Sequence, residues 1–262
     1  MFGGGTALSR AYKLTKRMSE DVDLKIVHPG NPSRGALRKL RGDITAALLA
    51  AGFEFAPKDE KYLVSIYKGT YTKYMLPYKL LAQAKVLRAD VRIEAALNPL
   101  RRDTVDKPIS SFVAETYGRA PEVAKFACSS VLETAAEKLV ALTWRAGSEL
   151  AGLRTARDPT LVRHIDDIHQ IRGEYDAAEV AGLPLEVMKA DAAERGNRFP
   201  AWAKDRLGET LRAIDGIPKD EVFVDGFAQF QRDMVYGDKP DFNTAMGSLN
   251  VLRDELKKLA NA

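Results

Sequence analysis

The sequence has one cysteine, Cys128, and three histidines in 262 residues. A lone thiol forms no internal disulfide, and so few sulfur and nitrogen ligands argue against a structural zinc site. Any metal must then be held by oxygen. No apolar run approaches the roughly 18 residues that a membrane-spanning helix needs, and the first residues lack the charged-then-apolar order of a signal peptide. The expectation is a soluble, cytoplasmic chain without a membrane partner. Charge of one sign is also scarce: 40 Lys and Arg against 36 Asp and Glu leave a net +4, too little for a non-specific polyanion binder. Repeats and low-complexity segments are absent, and His28, His164 and His169 read as structural or surface residues.

What is present suffices for a sizeable core, with 45% hydrophobic residues spread along the whole chain. The length lies near the roughly 250 residues at which single cores stop growing, so two lobes are expected. Helical spacing of Ala7, Leu8, Ala11, Tyr12 and Leu14 predicts a helix over 6–16, and the alternation of SEDVDLKIV predicts a strand over 19–27. Residues 35–51 read as an amphipathic helix. Strands are expected over 53–56, 62–67, 71–80 and 91–97, with Pro77 placing the third of these at a sheet edge. Residues 101–108 read as a polar loop, followed by a short apolar stretch over 123–128. Helical periodicity then covers 131–146, 161–174, 183–195, 201–214 and 242–259. The expected class is α/β (α+β), a mixed-sheet lobe over 1–130 followed by a helical lobe over 131–262.

Chemistry concentrates near the start. Gly3, Gly4 and Gly5 precede the first helix, where glycines let backbone N–H groups approach phosphate closely and Thr6 can add a hydroxyl. Asp21 and Asp23 stand at i and i+2, so both project from one face of a strand and offer oxygen donors suited to Mg²⁺. Ser19 shares that face. Glu94, on a neighbouring strand, is a candidate third carboxylate. Basic residues follow in two groups: Arg34, Arg38, Lys39 and Arg41, then Lys79, Lys85, Arg88, Arg92, Arg101 and Arg102.

FGGGTALSRAYKLTKRMSEDVDL resembles the first motif of the AbiEii/MenT family of nucleotidyltransferases within the DNA-polymerase-β-like superfamily: a GG[ST] turn, a helix, then Ser-x-Asp-x-Asp on a strand. VRIE resembles the second motif and assigns Glu94, AEKLVAL the third with Lys138, and RHIDDIHQI the fourth with Asp167; DMVYGDKPDFNTAMGSL is similar to the family's C-terminal region. Members carry a helical segment ahead of the glycine turn, so the resemblance implies that an upstream segment is missing here. It also implies a polymerase-β-like core and the toxin half of a type IV toxin–antitoxin system with an AbiEi-type antitoxin.

The implied chemistry is transfer of NMP from an NTP, with pyrophosphate released. Asp21, Asp23 and Glu94 would hold two Mg²⁺, and Glu94 would be the general base. Gly4, Gly5, Thr6 and Ser19 would bind nucleotide. Lys138 would neutralise phosphate, and Asp167 would orient Lys138. The implied acceptor is the 3′ end of tRNA, whose stem a groove of Arg34, Arg38, Lys39 and Arg41 on one side and Lys79, Arg88 and Arg92 on the other would bind. Other acceptors in the superfamily, protein or small molecule, stay open, as does a catalytically idle binding module.

Overall fold

The computed structural model describes residues 1–79, 88–195 and 198–260. Leu80 and Lys85, part of the expected third strand and second basic group, lie outside them. The chain divides into two compact units, one of Met1–Lys13 with Met18–Ser129 and one of Leu14–Arg17 with Ser130–Ala262.

The first unit is built on a mixed sheet. Its strands are β1 (Phe2–Gly3), β2 (Asp21–Ile26), β3 (Leu63–Ile66), β4 (Tyr71–Pro77), β5 (Asp90–Leu97), β6 (Val105–Ile109) and β7 (Val123–Cys128). They lie in the order β3-β4-β5-β2-β1-β7-β6. β2 pairs parallel with β5 and β1 parallel with β7, while the other neighbours are antiparallel. Helix α1 (Gly4–Arg10) follows β1 directly. Helix α2 (Arg34–Ala50) is capped by Ser33, whose Oγ accepts from the Ala36 N–H at 3.1 Å. A short helix, α3 (Phe112–Thr116), connects β6 to β7. Phe2, Ala7, Ala11 and Cys128 form a core under Val22 and Leu24, the apolar face of β2.

Four expectations for this unit change. The first helix stops at Arg10 rather than near residue 16, because Leu14–Arg17 is drawn into the second unit. Residues 53–56 form no strand, and Phe55 instead packs edge-on against the Tyr74 ring at 6.2 Å. β4 is interior rather than an edge; Pro77 is tolerated as its last residue, where the missing N–H costs no ladder bond. The expected loop over 101–108 contains β6, a real edge strand, with Pro108 at a register irregularity between Lys107 and Ile109.

The second unit is helical: α4 (Val131–Leu150), α5 (Val162–Gln170), α6 (Ala177–Arg195), α7 (Pro200–Lys204), α8 (Arg206–Gly216), α9 (Glu221–Met234) and α10 (Phe242–Ala260). α4 is its axis, capped by Ser130 and buried over most of its length. Val140 and Trp144 pack with Val187, Met188, Phe199 and Trp202. Gly147 lets α4 come close to Phe199, since a Cβ there would lie 3.1 Å from the ring. The single helix expected over 201–214 is two, because Asp205 leaves the helical conformation and caps α8 by accepting from the Gly208 N–H at 2.9 Å. α9 was not separately expected. Residues 14–17 join this unit through an antiparallel bridge between Arg17 and Val235 and a bond from the Tyr236 N–H to the Lys16 carbonyl at 3.0 Å.

Candidate active site

Register brings the acids of the first unit together. Asp23 on β2 is aligned with Glu94 on β5, and Glu94 faces Lys73 on β4. Strand alternation then puts Asp21, Asp23, Arg92, Glu94, Tyr71 and Lys73 on one sheet face. Lys73 Nζ lies 3.7 Å from Glu94 Oε1. The Tyr71 hydroxyl donates to Glu94, and burial followed by the charges of Glu94, Asp23 and Asp21 pushes its pKa well above the usual phenol value. Tyr71 therefore stays a donor at any physiological pH.

The glycine turn closes on these acids. Gly4 has φ 65°, and a Cβ there would fall 1.8 Å from Asp23 Oδ2, so only glycine allows the backbone this close to the carboxylate. Thr6 Oγ1 donates to the Asp21 carbonyl and is 2.6 Å from Ser19 Oγ. With its one proton committed to the carbonyl, Thr6 accepts from Ser19. Gly4, Thr6, Ser19, Asp21 and Asp23 thus form one connected group, and Gly5 is buried beside them. α1 has only seven residues, so the turn acts through close backbone approach more than through a long helix dipole.

The donor set suits a hard divalent cation: three carboxylates on one face, with Asp23 seated against a glycine that a side chain would displace. In this structure the acids answer to side-chain cations. Arg88 Nη2 donates to Asp21 Oδ1 at 2.5 Å and the Arg88 N–H to Glu20 Oε1 at 2.7 Å. Among the described residues no three His, Cys, Asp or Glu side chains converge at metal-holding distance.

The basic residues do not share one groove. Arg88 and Arg92 lie on the acid-bearing face, Arg92 with Asp90 at 3.1 Å. α2 packs on the other face, where the Tyr74 hydroxyl donates to the Arg41 carbonyl at 3.0 Å and Ser65 meets Thr72. Lys39 turns outward to Asp43 at 2.8 Å. Lys79 is exposed just beyond β4.

In the second unit Asp167 is fully buried and bonded three times. Arg17 grips it with Nε and Nη2, each at 2.7 Å, and Lys138 Nζ lies 2.6 Å from Oδ2. Burial alone would raise the Asp167 pKa, but Arg17 and Lys138 outweigh it and hold the carboxyl well below its usual range. Burial lowers the Lys138 pKa, partly opposed by Asp167. Two cations share this one carboxylate. Asp166 points elsewhere, accepting from Gln231 Nε2 at 2.7 Å, while Lys138 bonds Asp167. Burial holds the His164 pKa well below its usual value, His169 bonds Ser248 at 2.9 Å, and His28 is exposed.

A family model described as the nucleotidyl transferase AbiEii toxin of a type IV toxin–antitoxin system matches residues 1–248. The chain belongs to the AbiEii family. It is therefore a nucleotidyltransferase toxin, which implies an NTP substrate and an antitoxin partner. The fold agrees: MenT4, a nucleotidyltransferase toxin from Mycobacterium tuberculosis, superposes with a TM-score of 0.51 at 15% identity, over 98% of this chain and 75% of that one. A search of curated proteins finds no match. Among the described residues of this AbiEii protein no helix is long and apolar enough to cross a membrane.

Three participants escaped the sequence reading. Tyr71 and Lys73 had the right alternation on a strand, but their facing toward Glu94 depends on hairpin register, which local pattern leaves open. Arg17 fell between the expected helix over 6–16 and the expected strand over 19–27, with nothing to mark a partner 150 positions away.

Proposed function

We propose that this AbiEii toxin transfers NMP from an NTP to the 3′-terminal hydroxyl of tRNA and so blocks translation. The observation that carries the reading is the facing of Asp21, Asp23 and Glu94 beside the Gly4 turn. The acceptor oxygen forms a bond to the α-phosphorus, the bond to the bridging oxygen breaks, and pyrophosphate leaves. Two Mg²⁺ held by Asp21, Asp23 and Glu94 would supply Lewis-acid activation of the hydroxyl and neutralise the triphosphate.

The chain's own groups do the rest. Backbone N–H groups at Gly4 and Gly5 approach phosphate without side-chain obstruction, and the Ser19 hydroxyl, tied to Thr6, fixes the turn to β2. Glu94 takes the acceptor proton, while Tyr71 holds that carboxylate in place. Asp167 bonds and orients Lys138, the candidate for neutralising phosphate. An AbiEi-type antitoxin is the proposed partner.

The test is incubation of the protein with each labelled NTP, Mg²⁺ and total cellular RNA or protein, alongside Asp21→Ala and Asp23→Ala. Label should appear at the 3′ end of tRNA, and both variants should fold yet transfer nothing. Label confined to protein removes the tRNA assignment, and full activity of either variant removes the proposed acid site.

A further inference from the structure

A second cationic site lies on the sheet face away from the acids. Arg34, Arg38 and Arg41 follow one another at i, i+4 and i+7, so they share one side of α2. Facing them is Lys68, from the turn that joins β3 to β4. With Ser65 and Gly69 these four cations line a concavity of about 250 Å³. The volume is below the roughly 300–1,000 Å³ of a site for a drug-sized ligand. A small anion fits it.

The pocket is held by specific features rather than by loose surface chains. Gly69, at φ 94°, brings the turn down onto α2, where a Cβ would lie 3.6 Å from that of Leu37. Tyr67 and Lys68 before it also have positive φ, 50° and 60°, a conformation that costs about 1–2 kcal/mol for a non-glycine residue. Such strain is retained where the surroundings enforce it, and here it aims Lys68 at the arginines. Arg41 Nη1 donates to Ser65 Oγ at 2.9 Å, fixing one wall. The neighbouring acid, Asp43, is taken by Lys39. Among the described residues no carboxylate pairs with Arg34, Arg38, Arg41 or Lys68.

We propose that this pocket is a phosphate subsite that grips the backbone of the RNA acceptor away from its reacting end. The proposal rests on the RNA reading above. An NTP bound at Asp21 and Asp23 lies on the other face of the sheet, so the anion received at the arginines is a different one. The three arginines span roughly 10 Å of helix, more than one phosphate occupies. That length favours a polynucleotide over a free anion. Arginine forks and a lysine charge contacting backbone alone would add affinity without reading bases.

The test measures binding of total cellular tRNA to the wild type and to an Arg34→Ala, Arg38→Ala, Lys68→Ala triple variant between 50 and 200 mM salt, with circular dichroism to verify folding. Arg41 is left in place because it bonds Ser65. Each lost phosphate contact should lower the salt slope by roughly 0.7–0.9, so the variant should lose about 2 in slope and at least about tenfold in affinity. In transfer assays its KM for whole tRNA should rise with kcat unchanged, while a short oligonucleotide bearing only the 3′ end should react as with the wild type. An unchanged slope and KM overturn the subsite while leaving tRNA as acceptor. Label found only on protein overturns both readings. Binding of inorganic phosphate but not tRNA by the wild type makes the source a free anion and overturns the RNA assignment.

Discussion

Asp167→Asn tests how the second unit holds its buried charges. The substitution keeps the shape of the side chain and removes its charge. Arg17 and Lys138, whose side chains are 4% and 7% exposed, are left without the carboxylate both use. Breaking a buried pair by removing one partner costs about 3–5 kcal/mol, against a typical total of about 5–15. With a urea dependence of roughly 2 kcal/mol per molar, the midpoint should fall by about 2 M. The only two tryptophans, Trp144 and Trp202, both lie in the core of this unit, so their fluorescence reports its unfolding alone. Asp167 ionises in the fold well below its unfolded value, so it contributes stability above pH ~4 that is lost as pH falls through the folded value. The variant should lack that acid-side loss. Replacing Arg17, Lys138 and Asp167 together by Met, Met and Leu should recover most of the stability, because the desolvation cost goes with the charges. A midpoint shift below about 0.5 M for Asp167→Asn would refute the reasoning, since the two cations would then not depend on this carboxylate.

Asp166→Asn should act in the opposite direction. Burial, reinforced by the neighbouring Asp167 charge, raises the Asp166 pKa to about 6, so the fold favours its neutral form. The wild type is unpenalised below pH ~4 and loses stability as pH rises through 6. The variant should match it at pH 4 and exceed it by about 2–3 kcal/mol at pH 7, read from the same fluorescence; equal stability at both pH values would count against the raised value. Gly4→Ala should cut transfer by about a hundredfold or more, because its Cβ displaces the Asp23 carboxylate from where it now sits. The tryptophan midpoint should not move in that variant, and near-normal transfer would show that the turn tolerates a side chain.

How much of this site could be read from sequence follows from which contacts are local. Asp21 and Asp23 were legible because a period of two needs no tertiary information: whichever face they take, they take it together. Their alignment with Glu94 required the β2–β5 register, and local pattern could offer Glu94 only as a candidate on a neighbouring strand. The arginines show the limit most clearly. Arg34, Arg38 and Arg41 follow the acid motif within a few residues, and proximity in sequence invited a groove shared with Arg88 and Arg92. The connection after β2 instead carries α2 to the opposite face, where Tyr74 and Ser65 receive it. Which face a helix covers is decided by the handedness of its connection and by the apolar side of the sheet, neither of which a charge run reveals. Arg17 fails for the same reason in reverse. The residues before it have helical spacing, yet its two bonds to Asp167 and the bridge to Val235 outweigh the few tenths of a kcal/mol per residue that propensity offers. Local pattern therefore names the groups that share a face, and long-range pairing decides which faces meet. The two clusters of the first unit, the acids of β2 and β5 and the arginines of α2, are separated by the sheet for that reason.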